Sequence, residues 1–244
     1  NGDGTYSATL TGTKPGDVTV MPQVGGKNAV AEGATVTLTA GDVDKAHSSI
    51  SPKDGSMEVT DDMLLTFTAK DRFGNPIPSL NNISQKISGS SANGSSVGPW
   101  KNNNDGTYTA TLHGSTKVGD VVVMPVVNGS DAADVAANVE LTHGIFNKLY
   151  SQVTSSSTNT NVGGHTDLIY EAKDSYGNAV PGITLLGTKI IGNQDSSVSA
   201  WEDQGDGSYT ATFQAGNKTG SVDVMPTWDG KNAAVSAVTI TINN

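Results

Sequence analysis

The sequence contains one stretch with the spacing of a hydrolase nucleophile, Gly94-Ser-Ser-Val-Gly98. In α/β-hydrolases the pattern Gly-x-Ser-x-Gly exposes a serine on a strained turn between a strand and a helix. Here the stretch lies in a Ser/Gly-rich loop, and its copy further along the chain reads Asp195-Ser-Ser-Val-Ser199. No helix is predicted to follow it. The pattern therefore indicates a loop, and we expect this chain not to be an enzyme.

Acidic and amide side chains cluster before two Asp-Gly turns, at Asn102-Asn-Asn-Asp105 and Glu202-Asp-Gln-Gly-Asp206. Such oxygens are the ligands that calcium prefers. An EF-hand loop would end on a glutamate, but Leu112 and Phe213 occupy the corresponding positions. Hairpin turns are the better interpretation of both clusters.

The histidines also fail to form a recognisable metal motif. The chain has 4 of them, at His47, His113, His143 and His165. They show neither the His-Glu-x-x-His pattern nor any other paired spacing typical of a zinc site. We therefore predict no metal, no cofactor and no catalytic residue.

Charge and composition narrow the classes of partner. The formal net charge is -10 and the pI about 4.6, so phosphate backbones and anionic lipid surfaces would repel the chain, and nucleic-acid binding is not expected. Cysteine is absent, which removes disulfides and thiolate metal sites. No apolar run is long enough to span a bilayer, so no membrane segment is predicted in this stretch.

The elements that position these residues follow from an internal repeat with a period of about 100 residues. Three motifs recur in the same order: Asp3-Gly-Thr-Tyr6 with Asp105-Gly-Thr-Tyr108 and Asp206-Gly-Ser-Tyr209; Val20-Met-Pro22 with Val123-Met-Pro125 and Val224-Met-Pro226; and Lys70-Asp-Arg-Phe-Gly-Asn75 with Lys173-Asp-Ser-Tyr-Gly-Asn178. A period of this length is typical of a whole β-sandwich domain, not of a solenoid repeat.

Within the repeats, apolar and polar residues alternate as they do in half-buried strands. The alternation predicts these core residues: Leu65, Phe67, Tyr108, Leu112, Leu168, Tyr170, Tyr209 and Phe213. Tyr108 and Tyr209 each follow an Asp-Gly turn at the start of a core strand, a placement similar to the tyrosine corner of immunoglobulin folds. We therefore expect a buried ring whose hydroxyl bonds to the backbone. Trp100 and Trp201 recur in register and are predicted to pack, whereas Trp228 replaces valines and is expected to be either a larger core residue or an exposed contact.

The motifs Lys-Asp-x-[Phe/Tyr]-Gly-Asn-x-x-Pro, Asp-Gly-[Thr/Ser]-Tyr-x-Ala-Thr and Gly-x-Val-x-Val-Met-Pro resemble the bacterial immunoglobulin-like (Big-1 type) repeats of intimin and invasin adhesins. The resemblance covers the whole chain. It implies an all-β fold of tandem immunoglobulin-like antiparallel β-sandwich domains. It also implies a location on the surface of a Gram-negative cell, anchored in the outer membrane through regions outside this stretch.

The repeat alignment predicts three parts. Residues 1–40 correspond to the C-terminal part of a truncated repeat, 41–143 to a complete domain and 144–244 to a second complete domain. Residues 1–40 would leave a bare apolar face, formed by Tyr6, Ala8, Leu10, Val18 and Val20. Because such a piece should not hold a fold alone, we expect it to be completed from outside, by a separate chain or by edge pairing with another copy.

The junctions between repeats contain no Gly/Ser/Pro linker, which predicts stiff connections. In the second junction Ile145, Phe146, Leu149 and Tyr150 replace smaller or polar residues, and we expect them to pin the last two domains together.

The function that fits best is a structural spacer, or stalk, that holds a host-binding tip away from the bacterial envelope. The alternative is a binding module whose immunoglobulin-like domains themselves contact a host protein or glycan. In either case the expected partners are neighbouring immunoglobulin-like domains of the same chain and, for the alternative, a host-cell surface protein or glycan.

Overall fold

In a computed structural model of the chain, residues 1–192 and 195–244 are described, and they form strands and turns without a helix. The chain divides into two compact units. Unit 1 comprises Asn1–Ser115 with Gly119–Glu140, and unit 2 comprises Thr116–Val118 with Leu141–Asn244. The predicted division into residues 1–40, 41–143 and 144–244 differs from these units because residues 1–40 group with the first complete repeat, and it stays a prediction.

Residues 1–40 hold four short strands: β1 (Gly16–Val20), β2 (Gln23–Val24), β3 (Lys27–Asn28) and β4 (Ala34–Leu38). β1 pairs antiparallel with β4, and β2 with β3. Residues 3–10 repeat the sequence of a core strand but form no strand.

The first complete repeat contains ten strands: β5 (Ser49–Ser51), β6 (Asp54–Glu58), β7 (Asp62–Thr68), β8 (Ile83–Ser88), β9 (Ser96–Val97), β10 (Lys101–Asn102), β11 (Thr107–His113), β12 (Gly119–Val127), β13 (Ser130–Asp131) and β14 (Ala137–Thr142). One sheet has the order β10-β11-β7-β5, with β9 also on β11. The other has the order β13-β12-β14-β6, with β8 also on β12.

The second complete repeat has the same two-sheet plan: β15 (Gln152–Ser155), β16 (Asn159–Asn161), β17 (His165–Glu171), β18 (Leu186–Gly192), β19 (Ser197–Val198), β20 (Glu202–Asp203), β21 (Ser208–Gln214), β22 (Gly220–Trp228), β23 (Lys231–Asn232) and β24 (Val238–Asn243). Its sheets are β15-β17-β21-β19, with β20 on β21, and β16-β24-β22-β18, with β23 on β22. The pairing is antiparallel except between β16 and β24, which run parallel.

The apolar alternation places one face of each central strand in the core. In the first sandwich, β11 pairs with β7 so that Tyr108 lies opposite Phe67 and Ala110 opposite Leu65. In the second, β21 pairs with β17 in the same way. The eight residues that the alternation selects, Leu65, Phe67, Tyr108, Leu112, Leu168, Tyr170, Tyr209 and Phe213, are each at most 1% exposed. The all-β fold of tandem immunoglobulin-like sandwiches is therefore confirmed.

Both corner tyrosines bond to the backbone through their hydroxyls. The hydroxyl of Tyr108 donates to the Ile77 carbonyl at 2.7 Å and accepts from the Leu80 amide at 2.8 Å. In the second sandwich, the Tyr209 hydroxyl donates to the carbonyl of Val180 at 2.9 Å and accepts from the Ile183 amide at 2.8 Å. The tyrosine of each core strand thereby holds the segment that follows the Lys-Asp-x-x-Gly-Asn turn.

Candidate functional site

Each sandwich buries a carboxylate in its Lys-Asp-x-[Phe/Tyr]-Gly-Asn turn. Asp71 is 2% exposed and Asp174 is 1% exposed, although the sequence around them is polar. Each aspartate bonds to the asparagine that closes its turn. We call this pair the Asp-Asn node: Asp71 with Asn75 in unit 1, and Asp174 with Asn178 in unit 2.

In the node of unit 1, both oxygens of the carboxylate accept hydrogen bonds. Oδ1 of Asp71 accepts from the backbone amides of Phe73 and Asn75, each at 2.9 Å. Oδ2 accepts from the side-chain Nδ2 of Asn75 at 2.9 Å and from the Gly41 amide at 3.1 Å. Gly74 lies between these donors with φ +80°, a conformation that glycine adopts at little cost and that closes the turn. A single side chain thus ties the turn to the first residues of the sandwich.

The node in unit 2 repeats this geometry. Oδ1 of Asp174 accepts from the amides of Tyr176 at 2.8 Å and Asn178 at 2.9 Å. Oδ2 accepts from Asn178 Nδ2 at 2.8 Å and from the Gly144 amide at 3.0 Å. Because equivalent atoms form the same hydrogen bonds in both copies, the node is a regular feature of the repeat.

Hydrogen bonding decides the charge state of each node. Burial raises the pKa of Asp71, but the hydrogen bonds from the Asn75 side chain and from the amides of Gly41, Asn75 and Phe73 outweigh it and hold the pKa well below 3.8. The pKa of Asp174 is lowered in the same way against the effect of burial. Both groups are therefore carboxylates at neutral pH, and the bonds they accept are of the stronger, charge-assisted kind.

The asparagine of each node reaches one further segment. In unit 1 the Nδ2 of Asn75 donates to the Thr13 carbonyl at 2.8 Å, across 62 residues of sequence. In unit 2 the Nδ2 of Asn178 donates to the Thr116 carbonyl at 2.9 Å, again across 62 residues. Thr13 and Thr116 occupy equivalent positions in the repeat alignment. Each node therefore holds a loop that lies one repeat earlier in the sequence.

The four residues predicted to pin the second junction do not form one cluster. Phe146 packs inside unit 2, with its ring 6.4 Å from that of Tyr170 and 5.9 Å from that of Trp228, both edge-to-face. Ile145, by contrast, is 76% exposed, and Leu149 and Tyr150 are also exposed. Position in the alignment identified a change of residue type here, but it could not give the direction of each side chain.

The tryptophans divide as the alignment suggests. Trp100 and Trp201 pack against the cores, and the indole Nε1 of each donates a hydrogen bond, to Gln85 Oε1 at 3.1 Å and to Thr188 Oγ1 at 3.0 Å respectively. Trp228 packs on Phe146 but remains 41% exposed.

The hydrolase-like stretch lies beside a histidine and an aspartate. Ser96 on β9 is opposite His113 on β11, and His113 is opposite Asp62 on β7. The Nδ1 of His113 is 2.6 Å from Asp62 Oδ1, but the side chains of both residues are at least half exposed. Among the described residues no hydrogen bond joins Ser96 to the ring. A serine without a bonded base, in contact with bulk water, lacks the arrangement that activates a nucleophile.

The acidic clusters form hairpin turns. The carboxylate of Asp105 accepts from the amide and hydroxyl of Thr107 at 2.8 and 2.6 Å, and that of Asp206 does the same with Ser208 at 2.9 and 2.6 Å. Over residues 1–192 and 195–244, no group of three or more acidic or histidine side chains is placed to hold a metal ion. The described part of the chain also contains no helix with the length and apolar character needed to cross a bilayer.

Comparison with known proteins agrees with this architecture. A sequence model of the family described as Invasin, domain 3, matches residues 44–144 and again 150–244. The inverse autotransporter adhesin YeeJ of Escherichia coli strain K12 is 28% identical over 182 residues, which covers 70% of this chain and 8% of that protein. The chain therefore spans only a small part of this relative.

Two solved structures show the same fold. FdeC, an Escherichia coli adhesin, is 29% identical with a TM-score of 0.63, over 96% of this chain and 76% of that one. Invasin, described as a bacterial integrin-binding protein, is 24% identical with a TM-score of 0.69, over 95% of this chain and 46% of that one. Since the family model matches both complete repeats and so most of the chain, this chain belongs to the invasin domain 3 family and is an immunoglobulin-like segment of an intimin/invasin-type adhesin.

Proposed function

We propose that this chain is a spacer of the adhesin that carries it, and that it holds a host-binding tip at a distance from the outer membrane. The observation that carries the proposal is the Asp-Asn node. A spacer must keep successive domains at a fixed angle and distance. The node is an ionised aspartate paired with an asparagine, and its hydrogen bonds join three segments at once. A flexible tether would need neither the buried carboxylate nor the bridging amide.

The node in unit 1 supports this role because its donors come from different parts of the chain. Gly41 lies where residues 1–40 pass into the first sandwich, and Thr13 lies in a loop of residues 1–40. A change in the angle between these parts would break at least one charge-assisted or amide hydrogen bond, each typically worth about 1–3 kcal/mol. Bending at this point is therefore opposed by specific bonds and not by chain stiffness alone.

A replacement experiment in the full adhesin tests the spacer function. This segment would be exchanged for unrelated immunoglobulin-like sandwiches that span the same length, and adhesion of the bacteria to host cells would be measured. A spacer predicts that adhesion survives the exchange and falls when the segment is deleted without replacement. Loss of adhesion in the exchanged protein would contradict the proposal, because it would mean that this sequence itself contacts the host.

The coupling between the node of unit 1 and the loop 12–16 is tested by Asn75→Ala, with Asn103→Ala as the matched control. Asn103 also donates from its Nδ2, to Thr107 Oγ1 at 3.0 Å, but only within its own hairpin. We expect the first variant alone to increase the nanosecond mobility of residues 12–16, measured by NMR relaxation. Equal mobility in both variants would remove the node from the spacer's mechanism.

A binding module is the second candidate, and the apolar surface of unit 2 favours it. The large side chains exposed there include Ile145, Leu149, Tyr150, Leu185 and Trp228. The equivalent positions of the first sandwich hold residues that are polar, small or buried: Asp42, Ala46, His47, Asn82 and Val127. Exposed aromatic and aliphatic groups of this kind are typical of protein contacts. Saturable binding of the isolated chain to host cells, abolished by Trp228→Val, would establish this role.

For either role we infer an extracellular location on the bacterial surface, with outer-membrane anchoring supplied by other parts of the adhesin. In the described part of the chain, Ser96 is exposed and makes no hydrogen bond to the His113 ring, and the acidic clusters form hairpin turns. Both observations support a chain without catalytic chemistry of its own. If this chain is a spacer, a host-cell protein or glycan is the partner of the whole adhesin. If it is a binding module, the same kind of partner binds this chain directly.

A further inference from the structure

The loop that the node holds occurs three times with the same backbone. Its copies are 12–16, 115–119 and 216–220, and each ends on a glycine at the start of a strand. These glycines, Gly16, Gly119 and Gly220, have φ of +140°, +131° and +137°. The two residues that form the bend, equivalent to Thr13 and Lys14, also adopt the same bend in all copies. The third loop is thus preshaped like the first two.

Two of the three loops bind the carboxamide of a node. The Thr13 and Thr116 carbonyls accept from Asn75 and Asn178. In unit 2 the contact is two-sided, because the Val118 amide also donates to Asn178 Oδ1 at 3.4 Å. A backbone carbonyl and an amide two residues apart therefore recognise both ends of one primary carboxamide.

The third loop offers the same pair of backbone groups. Asn217 and Thr219 are equivalent to Thr116 and Val118, and both are exposed. Thr219 has a backbone N–H, unlike Pro15 of the first loop, which has none to donate. The third loop is therefore suited to the two-sided contact that the second loop makes.

We infer that the loop 216–220 is a docking surface for the Asp-Asn node of a further immunoglobulin-like sandwich, carried downstream on the same polypeptide. This inference rests on the proposed function. The occupant follows from the chain itself: in both observed cases the asparagine lies 62 residues after the carbonyl it binds. A second copy of this chain is a poorer occupant, because its nodes at Asn75 and Asn178 already bind its own loops.

The experiment extends the chain by a second copy of residues 144–244, joined directly after Asn244. Asn244 is equivalent to His143 in the repeat alignment, so the added copy begins at the spacing that the second sandwich has. The measurement is amide hydrogen exchange at Thr219, with Val118 as an internal reference. We expect exchange at Thr219 to be about fivefold slower in the extended chain than in the parent chain.

Two variants of the extended chain identify the group responsible. Asn→Ala at the position of the added copy that corresponds to Asn178 should return Thr219 to its parent rate. The same change at the position that corresponds to Asn232, an exposed strand residue, should leave the protection intact.

The outcomes separate this inference from the proposed function. If Thr219 exchanges at the same rate in the parent and extended chains while Asn178→Ala accelerates Val118, the docking surface is wrong and the node remains. If Asn178→Ala leaves Val118 unchanged, the node does not hold its loop, and both the inference and the spacer mechanism are overturned. Slower exchange at Thr219 that depends on the added asparagine supports the docking surface.

Discussion

Nearly the same eight residues adopt different structures in two regions of this chain. Residues 105–112 read Asp-Gly-Thr-Tyr-Thr-Ala-Thr-Leu and form β11, with Tyr108 only 1% exposed. Residues 3–10 differ from them at one position, form no strand, and leave Tyr6 96% exposed. The difference is the partner, since β11 pairs with β7, and residues 1–40 contain no equivalent of β7. Local sequence specifies the turn and the alternation, whereas pairing makes the strand.

The other apolar residues of the 1–40 piece follow the same rule. Leu10 and Val20 are exposed, whereas Leu112 and Val123, their equivalents in the first sandwich, are fully buried. Val18 is half-buried and Ala8 exposed. A face that is bare in one copy and buried in the next identifies what is absent from this piece, namely the strands equivalent to β5–β10.

The largest expected effect is obtained by supplying those strands. A copy of residues 41–102 placed before Asn1 would restore the spacing of a complete repeat, since Asn1 is equivalent to Asn103. We expect a third sandwich of ordinary stability, about 5–15 kcal/mol, with Tyr6 protected from solvent. Calorimetry and near-ultraviolet circular dichroism measure it. If Tyr6 remained exposed in the extended chain, the absence of a pairing strand would not explain why Tyr6 is exposed and Tyr108 is buried.

The next effect concerns the corner tyrosines. Tyr108→Ala and Tyr209→Ala should each destabilise by about 3–5 kcal/mol, because a buried ring and two backbone bonds are lost. The Phe variants should cost about 1 kcal/mol, since only the hydroxyl bonds disappear. Tyr6→Ala should change the unfolding free energy by less than about 0.5 kcal/mol. Chemical denaturation distinguishes these values, and equal losses at Tyr6 and Tyr108 would refute the burial difference.

A smaller effect is expected at Phe146, whose ring contacts Tyr170 and Trp228 inside unit 2. Phe146→Ala should destabilise the second sandwich by about 2–3 kcal/mol, less than a fully buried ring, because Phe146 is half-buried. Leu149→Ala is the matched control on an exposed side chain nearby. The melting transition of unit 2 should shift in the first variant only. If neither melting transition shifted but the two units became more mobile relative to each other, Phe146 would act at the junction, which remains the prediction from the sequence.

The alternation and the turns could be read from sequence because they depend on local spacing. Tyr209 and Phe213 point to one face of β21 by the geometry of a strand, and the Asp-Gly turn before them fixes where that strand starts. Repetition at a fixed period then gave the domain type. None of these inferences needed a distance between residues remote in sequence.

The Asp-Asn node could not be derived in this way. Asp71 lies in a polar turn, where an aspartate is ordinarily exposed, and its burial depends on donors 4 and 30 residues away. The one available signal was that Asp and Asn recur together in Lys70-Asp-Arg-Phe-Gly-Asn75 and Lys173-Asp-Ser-Tyr-Gly-Asn178 while two of the three residues between them change. Exposed turn residues would not need to repeat as a pair.

The node also predicts a dependence on pH. Asp174→Ala should lower the Tm of the second sandwich by about 4–8 °C at neutral pH. Because the pKa of Asp174 is lowered from 3.8 in the folded state, its bonds contribute fully above that pH and are lost as the pH falls through the folded-state value. The difference between parent and variant should therefore be constant near neutrality and shrink below about pH 3.8.

The control for this prediction is Asp206→Ala, which removes a hydrogen-bonded aspartate from an exposed turn. Its effect on Tm at neutral pH should be smaller than that of Asp174→Ala, because water replaces the lost bonds on the surface. Thermal melts of both variants from pH 2 to pH 7 provide the comparison. A constant difference for Asp174→Ala down to the lowest pH would show that its carboxylate does not carry the stability.

The smallest effect is expected from removing residues 1–40. These residues contribute one hydrogen bond to the node, from Asn75 to the Thr13 carbonyl, and the side chain of Ala40 packs against the first core. Most of their apolar face is exposed, so the Tm of residues 41–244 should fall by less than about 2 °C. Removal should also abolish any dimer that the unpaired edge supports, measured by sedimentation. A marked loss of stability would mean that the first sandwich begins before residue 41, because only a strand belonging to its sheets could contribute so much.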